Sequence, residues 1–141
     1  MEIAVCGSMV FSPEMVNVKD RLQDLGCKVV LPDFTEQYAK LNSKDKMREE
    51  SLKNKSYEDS IRNYYHKIKF FSDTLLVYNE TRKGIESYIG GNTFLEMGFA
   101  HVLGKKIFLY YSIPDIDYRD EIEAMHPQTL NGDLNAIFSK K

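Results

Sequence analysis

Short apolar runs alternate with longer stretches of mixed polarity along the first 110 residues. Four such runs, each bounded by glycine, proline or polar residues, predict buried strands at residues 3–6, 28–31, 74–78 and 106–110. Apolar positions at helical spacing predict a helix from Ser12 to Leu25, closed by Gly26, and further helices over 51–71 and 94–103. Strands that alternate with helices predict an α/β fold: a single doubly wound parallel sheet, flavodoxin- or Rossmann-like, with helices on both faces.

The pattern weakens beyond residue 113. We expect a short helix over 118–125, a fifth strand over 128–130 and a terminal helix from Asp133. The sheet should therefore have about five strands. The length of the chain suits one core, so residues 1–141 are predicted to form a single domain.

The segment 34–50 is polar and has no firm period. Because it offers few apolar side chains to offset the entropy of ordering, we expect a long loop or a loosely held helix. It leaves the second strand beside the predicted ligand cleft. We therefore predict a mobile lid that brings Phe34 or Tyr38 against the ligand, the alternative being an ordered helix packed far from the cleft.

Composition and charge exclude several classes of protein. Of the 141 residues, 43% are apolar and 28% charged, and the net charge is −2, so we expect no nucleic-acid partner and no membrane. The absence of a leader predicts a cytoplasmic protein. Cys6 and Cys27 have no disulfide or metal-ligand spacing and should be buried. We expect neither a metal nor a cofactor.

Three segments should meet at the carboxyl edge of the sheet, where such folds bind ligands. They are Gly7 to Phe11, Pro32 to Phe34, and the stretch from Tyr78 to Thr93. The first contains a glycine and precedes a helix, so its amides are suited to a phosphate or a sugar hydroxyl. A tight turn without a ligand is the alternative. In the third segment, Thr93 and Glu96 have the spacing of a capping box, which is the structural alternative to a catalytic Glu96.

These motifs together resemble the nucleoside 2-deoxyribosyltransferase family, which includes deoxynucleoside monophosphate N-glycosidases. The resemblance rests on Gly7-Ser8-Met9, on Val30-Leu31-Pro32-Asp33, and on the run from Asn92 to Ala100, and it covers roughly residues 2 to 112. Asn92 stands where the family usually has glycine. The resemblance implies that Glu96 attacks the anomeric carbon of the deoxyribose and forms a covalent glycosyl-enzyme.

The same resemblance assigns the rest of the site. The implied ligand-contacting residues are Gly7, Ser8, Met9, Phe11, Asp33, Tyr88, Gly90, Gly91, Asn92 and Thr93. Phe11, Phe34 and Tyr88 would exclude water from the cleft. Asp33, Glu86 and Tyr88 remain open candidates for assisting the leaving base.

The implied activity is cleavage of the N-glycosidic bond, or base exchange, on a 2-deoxynucleoside or its 5′-monophosphate. The alternatives are a nucleotide-binding or signalling domain of the same fold without turnover, and an enzyme that cleaves NAD. We also expect a homo-oligomer, because apolar side chains from Tyr110 to Tyr118 are concentrated near one edge. Residues 123–128 would then approach the partner's cleft.

Overall fold

A computed structural model describes residues 1–57 and 59–139 of the protein. Its strands form one five-stranded, all-parallel sheet in the order β2-β1-β3-β4-β5. The strands are β1 (Glu2–Gly7), β2 (Lys28–Val30), β3 (Thr74–Tyr78), β4 (Lys106–Leu109) and β5 (Gln128–Thr129). The helices are α1 (Ser12–Asp24), α2 (Thr35–Ala39), α3 (Lys44–Tyr57), α4 (Ser60–Phe71), α5 (Gly91–Val102) and α6 (Arg119–Ala124). The flavodoxin-like parallel sheet expected from the sequence is confirmed.

Alternate side chains of each central strand enter two separate cores. Ile3 and Val5 of β1 pack with α1 and the carboxyl-terminal 3-10 helix (Leu134–Phe138) on one face. Ala4 and Cys6 pack with α4, α5 and α6 on the other face. Since strand side chains point alternately to opposite faces, this division confirms that helices cover both sides of the sheet.

The polar segment after β2 is helical, so of the two expectations, a long loop or a loosely held helix, the loop is wrong. It forms α2 and the first half of α3, and it buries Tyr38 and Met47 to 4% and 3% exposure. Lys44 at the start of α3 donates to the carbonyl of Val10 and contacts the Glu14 carboxylate at 3.0 Å. These contacts place α2 and α3 beside the carboxyl edge of the sheet, so the alternative of a helix far from the cleft is wrong. The mobile lid stays a prediction.

The predicted helix over 51–71 is divided between two elements. α3 ends at Tyr57 and α4 begins at Ser60, after Asp59 with a left-handed φ of 51°; residue 58 lies outside the described residues, as do 140 and 141 of the predicted 1–141 domain. The weaker signals beyond residue 113 are confirmed by α6, β5 and the 3-10 helix. In the part of the chain that the structure describes, no helix has the length and apolar character needed to cross a membrane.

Candidate functional site

A cavity of about 220 Å³ lies at the carboxyl edge of the sheet, where β1 and β3 end. This is the point at which the strand order reverses, because β2 lies on one side of β1 and β3 on the other. The structure brings together almost the whole predicted site. The predicted residues that line the cavity are Gly7, Ser8, Met9, Asp33, Tyr88, Gly90, Gly91, Asn92, Thr93 and Glu96.

Two of the three aromatic residues expected to exclude water lie elsewhere. Phe11 is buried in the core beside α1, with its ring 5.7 Å from that of Tyr78, and does not line the cavity. Phe34 borders a second cavity along β2, next to α1 and α2. Of the three, only Tyr88 lines the first cavity.

The start of α5 determines the position of Glu96 in the site. We expected this helix to begin at Phe94, but it begins at Gly91, and the Phe94 amide already donates to the Gly90 carbonyl at 2.9 Å. The residue before the helix is Gly90, and no side chain caps it. Thr93 is therefore inside the first turn and Glu96 in the second. The capping-box interpretation of this pair is wrong, and Glu96 lies on the cavity wall.

Tyr64 lines the cavity together with Glu96, and Cys6 is buried in the core nearby. Burial, and beyond it the nearby Glu96 carboxylate, raises the pKa of the fully buried Cys6 thiol well above its usual range. Burial likewise raises the pKa of Tyr64. The Tyr64 hydroxyl donates to the carbonyl of Val5. Both groups therefore stay neutral at physiological pH.

Asp33 is held by a lysine from α4. Lys67 Nζ contacts Asp33 Oδ1 at 2.6 Å and the Leu31 carbonyl at 3.0 Å. Asp33 borders both cavities, so this ion pair fixes a carboxylate at the rim of the first one. Glu86, in contrast, is exposed and lines neither cavity. Of the three candidates for assisting the leaving base, Asp33 and Tyr88 are at the cavity.

Gly7 allows the chain to pass close to β3 at the cavity wall. A Cβ at this position would lie 2.7 Å from the carbonyl oxygen of Tyr78 and 3.3 Å from the sulfur of Met15. The carbonyl belongs to the central strand of the sheet and has no room to retreat. The glycine of this motif is therefore required for packing, whatever ligand the turn binds.

Gly7→Ala is expected to lower the free energy of unfolding by about 2 kcal/mol, because the added methyl overpacks a rigid backbone contact. Chemical denaturation of both proteins measures this difference. Gly91→Ala is the matched control, since a Cβ at Gly91 would meet nothing within 4 Å. Equal stability of the Gly7 variant and the wild type would contradict the close contact.

The sequence did not reveal the cations of this cavity. Arg82 and Lys83 follow β3, and Arg48 of α3 lies on the cavity wall as well. Also unpredicted were apolar and hydroxyl groups from the helical segment before β3: Ser51, Leu52, Ser60, Ile61 and Tyr64. One sequence signal could have placed two of these cations on a turn. It is the Lys83-Gly84 pair, because a glycine between polar residues is typical of a tight turn. Tyr38, expected near the ligand, does line the cavity.

A buried asparagine organises the loop that carries Tyr88 and the two cations. Asn79, fully buried, donates to the carbonyls of Ser112 at 2.8 Å and Ser87 at 3.3 Å. Its Oδ1 accepts a hydrogen bond from the Tyr111 amide at 2.9 Å. One side chain thus joins the loop after β3 to the loop after β4 and fixes the position of the cavity rim.

The site therefore combines a carboxylate, a second carboxylate held by a lysine, and several cations around exposed main chain. Among the described residues, no group of three or more histidine, cysteine or acidic side chains is arranged to hold a metal ion. No protein-family model, curated protein or solved structure matches this chain. What the protein does has to be inferred from the residues of the cavity.

Proposed function

We propose that the protein cleaves the N-glycosidic bond of a 2-deoxynucleoside or its 5′-monophosphate, or exchanges the base, with Glu96 as the nucleophile. The observation that carries the proposal is the position of Glu96 in the second turn of α5, on the wall of a cavity at the strand-order reversal. Because the helix begins at Gly91, Glu96 lies beyond its first turn and does not occupy a capping-box position.

The first chemical step forms a bond between a Glu96 carboxylate oxygen and C1′ of the sugar. The C1′–N bond breaks at the same centre, its electron pair leaves with the base, and the base takes up a proton from solvent water. In the second step, the oxygen of water, or the nitrogen of a second base, attacks C1′, loses its proton to solvent, and releases the Glu96 carboxylate. Both steps pass through an oxocarbenium-like state, which a nearby negative charge stabilises.

The residues around Glu96 suit this chemistry. The main chain of Gly90 and Gly91, which have no side chains, allows a sugar to approach closely, and Tyr88 offers an aromatic face for a base. Asp33 is the carboxylate available at the rim for contact with the base. The cavity is small, which favours a single nucleoside unit over a dinucleotide.

The proposal is tested by incubating the protein with the four 2-deoxynucleosides, their 5′-monophosphates and NAD, with and without a second free base, and separating free and exchanged bases by chromatography. Release from deoxynucleosides or their monophosphates is expected. Exchange without net release identifies a transferase, and net release a hydrolase. Release from NAD alone contradicts the proposal, and binding without release indicates a nucleotide-binding domain.

The surface that we expected to drive assembly is largely occupied within the chain. Tyr110 is buried, and Ile113, Ile116 and Tyr118 pack against the core beneath α5 and α6. The Tyr118 hydroxyl also donates to the carbonyl of Ile89. An oligomer therefore needs a different apolar surface from the one that the sequence indicated.

Such a surface exists on α4 and α5. Exposed or half-buried apolar side chains meet there, and we define the α4–α5 surface by Tyr65, Phe70, Leu95, Phe99 and Val102. Tyr65 and Phe99 join the two helices through an edge-on ring contact at 5.2 Å. Leu95, Phe99 and Val102 lie on one stripe of α5, at the spacing by which helices associate. We place the homo-oligomer contact on this surface.

The wild type is expected to sediment as a dimer or larger at tens of micromolar, and Val102→Asp to sediment as a monomer. Val102 is 79% exposed, so the charge should disrupt only the contact between copies. Leu25→Asp, at an exposed position after α1, is the control and should leave the assembly intact. A monomeric wild type would refute the oligomer.

A further inference from the structure

Two of the cavity's cations lie on a tight hairpin after β3. Arg82 and Ile85 exchange main-chain hydrogen bonds at 3.1 and 2.9 Å, and the two residues between them, Lys83 and Gly84, have φ values of 55° and 73°. Positive φ at both central positions is the geometry of a type I′ turn. The hairpin therefore holds two neighbouring cationic side chains at the rim of the cavity.

The hairpin is tied to the turn after β1. Arg82 Nη1 donates to the Ser8 hydroxyl at 3.0 Å. Tyr88 lies beside both cations, with its ring centre 6.0 Å from the Arg82 guanidinium and 5.7 Å from the Lys83 ammonium. These contacts fix the direction of the charges but do not neutralise them, since a hydroxyl and an aromatic face carry no net charge.

A third cation at the cavity comes from a different element. Arg48 of α3 lines the same cavity. Within the described residues, 1–57 together with 59–139, no carboxylate forms an ion pair with Arg48, Arg82 or Lys83. The cavity wall also carries the carboxylates of Asp33, which is paired with Lys67, and of Glu96. The three cations therefore leave an excess of positive charge that an entering anion would balance. The first turn of α5, which also borders the cavity, has no acidic residue.

We propose that Arg82, Lys83 and Ser8, with Arg48 lining the same cavity, form a subsite for a phosphate monoester, so that the substrate is a deoxynucleoside 5′-monophosphate. This rests on the proposed function for the sugar and base, and adds the phosphate. A phosphate monoester carries close to two negative charges at neutral pH and several acceptor oxygens, so it matches several donors better than a singly charged carboxylate does. The Ser8 hydroxyl, already accepting from Arg82, is oriented to donate to it.

The test uses 2-deoxyribose 5-phosphate and 2-deoxyribose as calorimetric probes, which separates binding from turnover because neither sugar carries a base. 2-Deoxyribose 5-phosphate is expected to bind at least tenfold more tightly than 2-deoxyribose. Lys83→Asn is expected to weaken binding of the sugar phosphate about tenfold. Asparagine tolerates positive φ, so the turn is kept. Arg82→Gln, which keeps a donor for Ser8, should have a similar effect. Lys28→Gln, at the amino end of β2, is the control for loss of one positive charge.

The outcomes separate the subsite from the proposed function. Equal binding of the two sugars, or unchanged phosphate binding in both Lys83→Asn and Arg82→Gln, overturns the subsite even if bases are released from nucleosides. Phosphate binding that depends on Lys83, without release of base from any substrate, supports the subsite and overturns the proposed function. Binding of inorganic phosphate alone, with no gain for the sugar phosphate over it, also overturns the assignment to a nucleotide.

Discussion

Glu96→Gln is expected to reduce release of the base by at least about 10³-fold, because the amide cannot form the glycosyl ester on which both chemical steps depend. Glutamine has the same shape and nearly the same helix propensity, and Glu96 lies beyond the first turn of α5. The melting temperature should therefore stay close to that of the wild type. Initial rates on deoxynucleosides and their monophosphates, with circular dichroism melting curves, measure both quantities.

The matched control is Glu86→Gln, which removes a carboxylate from the same sheet edge at an exposed position outside the cavity. Its activity should be unchanged. Trapping strengthens the test: if Glu96 is the nucleophile, a deoxyribosyl adduct on the peptide containing it should be detected by mass spectrometry after an acid quench. Full activity of Glu96→Gln would remove this residue from the mechanism.

Asn79→Ala is expected to destabilise the fold by about 3 kcal/mol or more, because the amide of Tyr111 and the carbonyls of Ser87 and Ser112 lose a buried partner together. The loop after β3 carries Tyr88, Arg82 and Lys83, so ligand affinity should fall as well. Urea denaturation and calorimetry of the folded variant give the two effects separately.

Asn17→Ala, on the exposed side of α1, is the control for loss of an asparagine and should change stability by no more than about 0.5 kcal/mol. A variant at Asn79 that unfolds at the wild-type urea concentration would mean that the three main-chain groups find other partners. Lower stability with unchanged affinity would show that the rim of the cavity does not depend on this network.

The fold was predictable because its signals are local. Runs such as Thr74 to Tyr78 are buried throughout, and glycines such as Gly26, with φ of 92°, end elements where the sequence places them. The segment from Phe34 to Glu50 was not predictable in the same way. Its helices depend on burying Tyr38 and Met47 against distant parts of the chain, and on Lys44 reaching Val10. A sequence window contains none of these partners.

The site was predictable where it follows strand ends and unpredictable where it depends on a side chain's direction. Strand ends placed Gly7, Asp33 and Glu96 together, since the carboxyl ends of parallel strands share one edge. The position of Phe11 was missed because the 3-10 turn directs its ring into the core beside Tyr78. The start of α5 was placed too late because Gly90 and Gly91 are typical of a loop, although here they begin a helix.

The hairpin from Arg82 to Ile85 closes on its own main chain, and its two central residues are exposed. Its side chains are thus nearly independent of the two cores, whereas Glu96 stands on a helix that packs against the central strands. Mutation can therefore alter the charge of the hairpin with little loss of folding stability, while the Glu96 carboxylate stays in place. In an evolving lineage, the selectivity of this pocket would therefore drift faster than its reactivity, and relatives would differ first in which anion they accept.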